Sequence, residues 1–276
     1  MSLASKLPWN HRFAGGYPGL SSQPLPTDAD AIDYLTRVAS ADGAGVETGV
    51  ATAVDAFFRH TKAAGVFDAL KACCILAGAR TLAGALVPVV GDAPTNVANG
   101  FVNGDFSRTS GLTGDGTSYL DTGFANTTLD KDDAHCAVYA TSHETATGAY
   151  IGAFDLSTGD CQIAGFNATN VICRFMASNG ELIPSGKITP FLAATRGASA
   201  SYLFRDDGAT NTITRTSGIP TTMDWCVFAR STNPTHTAAS DATIAFYSIG
   251  TDIGSAGLTD LDTAVSNLIT AIGEAL

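Results

Sequence analysis

Glutamate is nearly missing from this 276-residue chain: it occurs only at Glu47, Glu144, Glu181 and Glu274. Charged residues of all kinds make up 15%, and the formal net charge of −11 rests almost wholly on aspartate. Asp favours turns and caps, whereas Glu favours helix bodies, so this acidity is a signature of many turns. Basic residues are too scattered to form a patch that would release counterions from phosphates, which argues against nucleic-acid binding. The N-terminus MSLASKLPWNHRF has no apolar stretch of secretory length. The longest apolar run, near Cys73 to Val90, is interrupted by Gly78, Arg80, Gly84 and Pro88 and bounded by Lys71, so no membrane insertion is expected.

Several catalytic and metal patterns are also missing. The cysteines Cys73, Cys74, Cys136, Cys161, Cys173 and Cys226 form no C-x-x-C pair, and buried free thiols of a reducing cytoplasm are expected. The histidines His11, His60, His135, His143 and His236 make no H-E-x-x-H, and no Gly-x-Ser-x-Gly elbow occurs. Retaining glycosidases need two carboxyl groups about 5 Å apart. The Glu-x-Asp-x-x-Glu strand of β-sandwich glucanases would supply them, yet none of the Glu residues has Asp two places on. The sequence therefore predicts no catalytic residue, no metal site and no cofactor.

What is present is a hydrophobic content of 45%, enough for a packed core, and 29 glycines. Residues 1–27 read as an extended anchoring arm, because prolines and glycines punctuate them. Its Trp9, Phe13, Tyr17 and Leu20 are side chains suited to docking on a partner. Residues 28–90 read as a helical brace. Thr27 and Asp30 resemble a capping box. A second helix from about Glu47 to Ala64 places Val50, Val54, Phe57, Phe58 and Thr61 on one face, and a short third helix carries Val66, Phe67, Leu70 and Cys74. From about Arg80 the pattern shifts to short alternating runs, and residues 91–276 read as a jelly-roll sandwich with a C-terminal helix. Strands are expected around Tyr119–Thr122, Ala134–Thr141, Ala149–Phe154, Gln162–Asn167, Val171–Ala177, Phe191–Thr195, Ser201–Arg205, Thr212–Thr216, Trp225–Ala229 and Ala242–Ile249. Asn179-Gly180 and Asp207-Gly208 are hairpin signals. Thr259 and Asp262 resemble the cap of a closing helix with the stripe Leu261, Val265, Leu268, Ile272 and Leu276.

One loop invites a phosphate reading. GLTGDGTSYLDTGF, from Gly111 to Phe124, holds four glycines. A phosphate loop works by opening a helix, whose N–H groups face the anion. Here an alternating strand pattern follows, and the acidic residues are too sparse for an EF-hand. Gly114-Asp115-Gly116 is expected to be a turn.

The phrases FRHTKAAGVFDALKACCILAGARTLAGALVPVVGDAPTN, FVNGDFSRTSGLTGDGTSYLDTGF, DDAHCAVYAT and YIGAF, with ATIAFYSIGTDI and LTDLDTAVSNLITAIGEAL near the end, resemble a group of tailed-bacteriophage virion proteins. Members are tail-fibre or capsid-decoration proteins with a concanavalin A-like, laminin-G-like jelly roll. The resemblance covers roughly 28–276 and implies a non-enzymatic structural or binding role. It carries no site residue across. It implies virion localisation after assembly in the host cytoplasm, other capsid or tail proteins as partners, and a homo-oligomer such as a homotrimer. The sequence departs from a fibre in having no shaft repeat. A host surface glycan is a further expected partner, with Tyr150, Asp206 and Asp207 at the sandwich rim. Two other readings share the fold: a free lectin module using Tyr150, Phe154, Tyr202 or Tyr247, and a polysaccharide-degrading enzyme.

Overall fold

The computed structural model describes residues 25–276, except 98, 99, 144, 146, 157, 185, 186, 188, 189, 207, 233 and 234. The chain opens with α1 (Ala29–Asp42) and α2 (Thr48–Ala63), followed by β1 (Leu70–Ile75), α3 (Leu82–Ala85), β2 (Pro88–Val90) and β3 (Thr95–Val97). The next strands are β4 (Phe106–Ser107), β5 (Gly111–Thr113), β6 (Tyr119–Ala125), β7 (Ala134–Ser142), β8 (Ala149–Ala153), β9 (Cys161–Gly165) and β10 (Val171–Phe175). There follow β11 (Glu181–Ile183), β12 (Phe191–Ala198), β13 (Ser201–Asp206), β14 (Ala209–Thr214), β15 (Asp224–Val227), β16 (Arg230–Thr232), β17 (Thr235–Thr237), β18 (Thr243–Gly250) and α4 (Gly254–Ala275).

The strands form two mainly antiparallel sheets stacked as a sandwich. One runs β14-β13-β12-β7-β18-β1-β2, with β4 and β5 attached beside β18. The other runs β11-β10-β9-β8-β15-β6-β3, with the β16–β17 hairpin attached to β8. The chain is thus mainly β, with a helical N-terminal region and a closing C-terminal helix, as the sequence predicts.

The first sheet separates two hydrophobic cores. Between the sheets pack Trp225, Tyr150, Phe175, Tyr202, Phe204 and their neighbours. On the outer side of the first sheet, α1, α2 and α4 pack through Phe57, Phe58, Phe246, Leu261, Val265 and Leu268. Strand β18 is buried along its whole length because it packs on both cores: Ile244, Tyr247 and Ile249 face one, while a register shift after Ile244 turns both Ala245 and Phe246 to the other. Burial of Leu258, Leu261, Val265, Leu268 and Ile272 anchors α4 within the subunit. At about 1.5–3 kcal/mol each, these five contribute roughly 8–15 kcal/mol before chain entropy is subtracted. Arg205 Nε, 2.8 Å from Asp262 Oδ2, ties α4 to β13.

Several local expectations need correction. The third helix is absent: after a single turn at Phe67–Ala69 the chain enters β1, between β18 and β2. The cap of α1 is Asp28, whose carboxylate accepts from the amides of Asp30 and Ala31, so Thr27 and Asp30 form no capping box. Thr259 lies inside α4, where its hydroxyl donates to Ser255 O, because the helix starts five residues earlier at Gly254. Leu276 ends the stripe exposed. The remaining stripe, the α2 face and all ten expected strands are present, with shifted ends.

The glycine-rich loop resolves as a turn. Asp115 Oδ1 accepts from the amides of Thr117 and Ser118 at 2.7 and 2.6 Å, closing the turn that feeds β6. These backbone bonds, more than any charge, hold the Asp115 carboxyl down at about 2.

Candidate functional site

The two outer faces differ. Helices cover the first sheet, whereas none of the described α-helices packs on the outer face of the second, where the β16–β17 hairpin joins the edge of β8. Before it, Phe228 adopts φ +68° where the chain reverses after β15, and β16 then runs beside β8 in parallel, Ser231 opposite Ala153. The Ser231 hydroxyl donates to Asp224 O at 2.6 Å and fixes the crossing. Two groups of polar side chains gather around it.

The first group is cationic. Arg230 opens β16 and passes over Gly152, where an added Cβ would sit 3.0 Å from the Arg230 Cβ and 3.2 Å from the Gln162 Cβ. A glycine at 152 therefore clears the path of the arginine across the sheet. Arg230 Nη1 donates to Gln162 Oε1 at 2.8 Å and Nε to Thr237 Oγ1 at 3.2 Å. Its guanidinium lies 4.1 Å from the ring centroid of Phe154. Arg174, on β10, brings a second guanidinium within 4.8 Å of the same centroid and pairs with the fully buried Asp160, Nη1 to Oδ2 2.9 Å. Burial lowers the Arg230 pKa, the neighbouring Arg174 lowers it further, and Asp160 opposes both.

The second group is acidic and aromatic. His236 of β17 stacks on Tyr119 of β6, with ring centroids 4.1 Å apart. Asp121 and Asp224 approach the same point from β6 and β15. Burial raises the Asp224 pKa and Asp121 adds to the rise, while His236 opposes it. Burial lowers the His236 pKa, against the pull of both aspartates. Two carboxyls and one imidazole thus gather beside the Tyr119 ring. Among the described residues no group of three or more His, Cys, Asp or Glu side chains has the geometry to hold a metal ion.

The residues expected at the site fall elsewhere. Tyr150 is fully buried between the sheets, with its hydroxyl 3.0 Å from His143 Nδ1, and presents no ring to a ligand. The alternation that places it in β8 points it inward, so the rim expectation is corrected. Tyr202 and Tyr247 are buried in the same core. Asp206 ends β13 nearly buried, paired in register with Ala209. Asp207, Trp9, Phe13, Tyr17 and Leu20 lie outside the described residues. Of the aromatic candidates only Phe154 lies at a polar cluster, and its own ring is covered. All six cysteines are buried free thiols, and burial raises the pKa of each. A separate surface depression of about 370 Å³ is lined by Thr127, Leu129, Asp130, Lys131, Ile219 and Pro220. No helix among the described residues is long and apolar enough to cross a membrane.

No protein-family model and no curated protein matches the chain. Solved structures give distant, partial likenesses. The carbohydrate-binding module CBM40 of the Ruminococcus gnavus IT-sialidase, bound to α2,3-sialyllactose, is 12% identical, with a TM-score of 0.36 over 43% of this chain and 75% of that one. The Trypanosoma rangeli sialidase in complex with sialic acid is 12% identical, with a TM-score of 0.48 over 73% of this chain and 34% of that one. The NanB sialidase from Streptococcus pneumoniae is 9% identical, with a TM-score of 0.40 over 48% of this chain and 24% of that one. Identities and scores this low carry no function from those proteins to this chain.

Proposed function

We propose that this chain is a non-enzymatic bacteriophage virion protein whose β-sandwich is displayed on the particle and binds host-surface glycan through the outer face of its second sheet. The observation that carries the binding role is the asymmetry of the sandwich. One sheet is sealed under helices, and the other presents half-buried arginines, aspartates and a tyrosine beside the exposed His236, with no helical cover among the described residues. Polar groups held rigidly on strands suit sugar hydroxyls, which need fixed donors and acceptors.

The virion role is supported by how the phrases that resemble phage proteins assemble. FRHTKAAGVFDALKACCILAGA supplies the end of α2 and β1, while ATIAFYSIGTDI and LTDLDTAVSNLITAIGEAL supply β18 and α4. β1 pairs with β18, and α2 shares one core with α4. The resembling segments therefore form one structural unit although they are far apart in the chain. Residues 1–27 serve as the anchor on a capsid or tail protein, in a closed homo-oligomer such as a trimer.

Two measurements test this reading. Cryo-EM of particles containing the chain should show it on the capsid lattice or at the tail, and particles without its density would refute the virion role. Binding of the full chain to a panel of bacterial surface polysaccharides, with the products sized, should show affinity and intact glycan.

Asp121, Asp224 and His236 favour a second reading, polysaccharide cleavage, since two carboxyls and an imidazole gathered at one point are groups that acid–base chemistry uses. Shortened products that disappear in Asp224→Asn would establish that reading in place of the first.

A further inference from the structure

Among the described residues, Arg230 is a half-buried cation of this face that pairs with no carboxylate. Its Nε and Nη1 are used by neutral oxygens of Thr237 and Gln162, and nothing among the described residues accepts from Nη2. Arg174 spends only Nη1, on Asp160, and its buried Nε has no partner. Asp155, next to Phe154 in the chain, pairs with neither arginine, and its Oδ1 is likewise unpartnered. Two guanidiniums thus converge on one ring with a single paired carboxylate between them, leaving positive charge uncompensated in a chain of net charge −11. Holding such a pair half out of water costs free energy unless an anion completes it.

Arginine forks match planar and tetrahedral oxyanions through two parallel N–H bonds. We propose that Arg230, with Arg174 behind it and Gln162 fixing its plane, forms an oxyanion subsite that takes the acidic group of a charged polysaccharide, a uronate carboxylate or a sulfate ester. Gly152 and Phe154 are positioning residues: one leaves room for the arginine stem, the other gives the guanidinium a flat face to rest on. This inference rests on the glycan-binding reading above and specifies its ligand class.

The test is titration calorimetry of the full chain with three oligosaccharides of equal length: a hexuronate, its carboxyl-reduced neutral parent, and a sulfated analogue. At least tenfold preference for one acidic sugar over the neutral one is expected, and which acidic sugar wins identifies the oxyanion. That affinity should fall between 50 and 500 mM NaCl, while neutral binding stays level. Arg230→Gln should remove the preference, and Arg230→Lys should restore part of it. Arg230 is the right position because no charged partner is stranded by the change, whereas Arg174→Gln would orphan buried Asp160. If Arg230→Gln unfolds, the salt series on the parent chain decides alone. Equal affinity for neutral and acidic sugars overturns the subsite and leaves the glycan reading standing. If no saccharide binds but inorganic sulfate shifts the Arg230 side-chain NMR signals, the glycan reading fails and the anion site survives. Silence in both overturns the two together.

Discussion

Replacing Arg196 with methionine should destabilise the fold by about 3 kcal/mol. Arg196 is completely buried, on β12, and forms no ion pair with a carboxylate among the described residues. Its guanidinium makes five hydrogen bonds to four backbone carbonyls: two to Phe175 O at 3.2 and 2.9 Å, and one each to Ala198, Ser201 and Arg215 O at 3.1 Å. It also lies 5.2 Å from the ring centroid of Tyr202. One side chain thus joins β10 of the second sheet to the β12–β13 turn and the end of β14 in the first. Methionine fills similar space but donates nothing. A buried acceptor left without a partner costs roughly 1–3 kcal/mol. If water or neighbouring amides rescue two of the four carbonyls, about 2–6 kcal/mol remains. Against this stands the relief of no longer burying a cation, which draws the figure towards the lower half. In a chain of this size each kcal/mol moves Tm by about 2–4 °C, so the midpoint should fall by roughly 6–12 °C. Lysine keeps the charge but not the planar fork and should fall between the two. Calorimetry and urea unfolding read both variants. A methionine variant within about 1 kcal/mol of the parent would refute the claim that these carbonyls depend on the guanidinium.

His135 is buried with its pKa lowered to about 4, burial outweighing the hydrogen bond to Thr251 O, so it folds neutral. Its contribution, about 3 kcal/mol, is complete above pH 6.5, declines as the unfolded chain takes up a proton, and is gone near pH 4. The exposed His236 adds a smaller effect of the same sign; urea midpoints at pH 7 and pH 4 should therefore converge in His135→Gln, and an unchanged difference would contradict the assignment. Gly111→Ala should cost at least about 3 kcal/mol, because φ is +102° and the new Cβ would meet Ile244 O at 2.3 Å, while Gly116→Ala, at φ +75° in open space, should cost only about 1 kcal/mol. Equal losses in thermal unfolding would show that contact with β18 does not matter. Asp115→Ala should lose about 1 kcal/mol as the Thr117 and Ser118 amides lose their acceptor, and Asp115→Asn should retain most of it.

The sandwich was readable where one face of a strand meets the core and the other meets water, and it failed where both faces are buried. LKACCI in β1 looked like part of a helix because its alternation lies between two apolar cores: Ala72 and Cys74 face the sheets, Cys73 and Ile75 the helices. Short strands such as β3, β4 and β16 hold too few residues to show a period. α2 and α4 were legible because each buries one stripe. The candidate site was not. Arg230, Phe154, Gln162 and Arg174 are brought together from separate strands, and Gln162 and Arg230 lie 68 residues apart. No local spacing encodes that convergence. The one faint signal was Gly152, a glycine in the middle of a strand, which marks a close crossing.

The second sheet bears groups that weaken the fold. Arg230 and Asp224 both have pKa values displaced against their charged forms, with burial the leading cause. Groups tuned only for stability would be paired or fully wet. The first sheet, packed on both faces and roofed by α1, α2 and α4, contributes the apolar burial that offsets this cost. Such a division has a measurable consequence. Neutralising Arg230 or Asp224 should leave stability unchanged or slightly raised, because each removes a partly desolvated charge without stranding a charged partner. Arg230→Gln and Asp224→Asn should therefore unfold at or above the parent temperature while any ligand affinity of this face declines. A loss of stability comparable to that of Arg196→Met would instead make these residues structural, and the open face would lose its claim to be a binding surface.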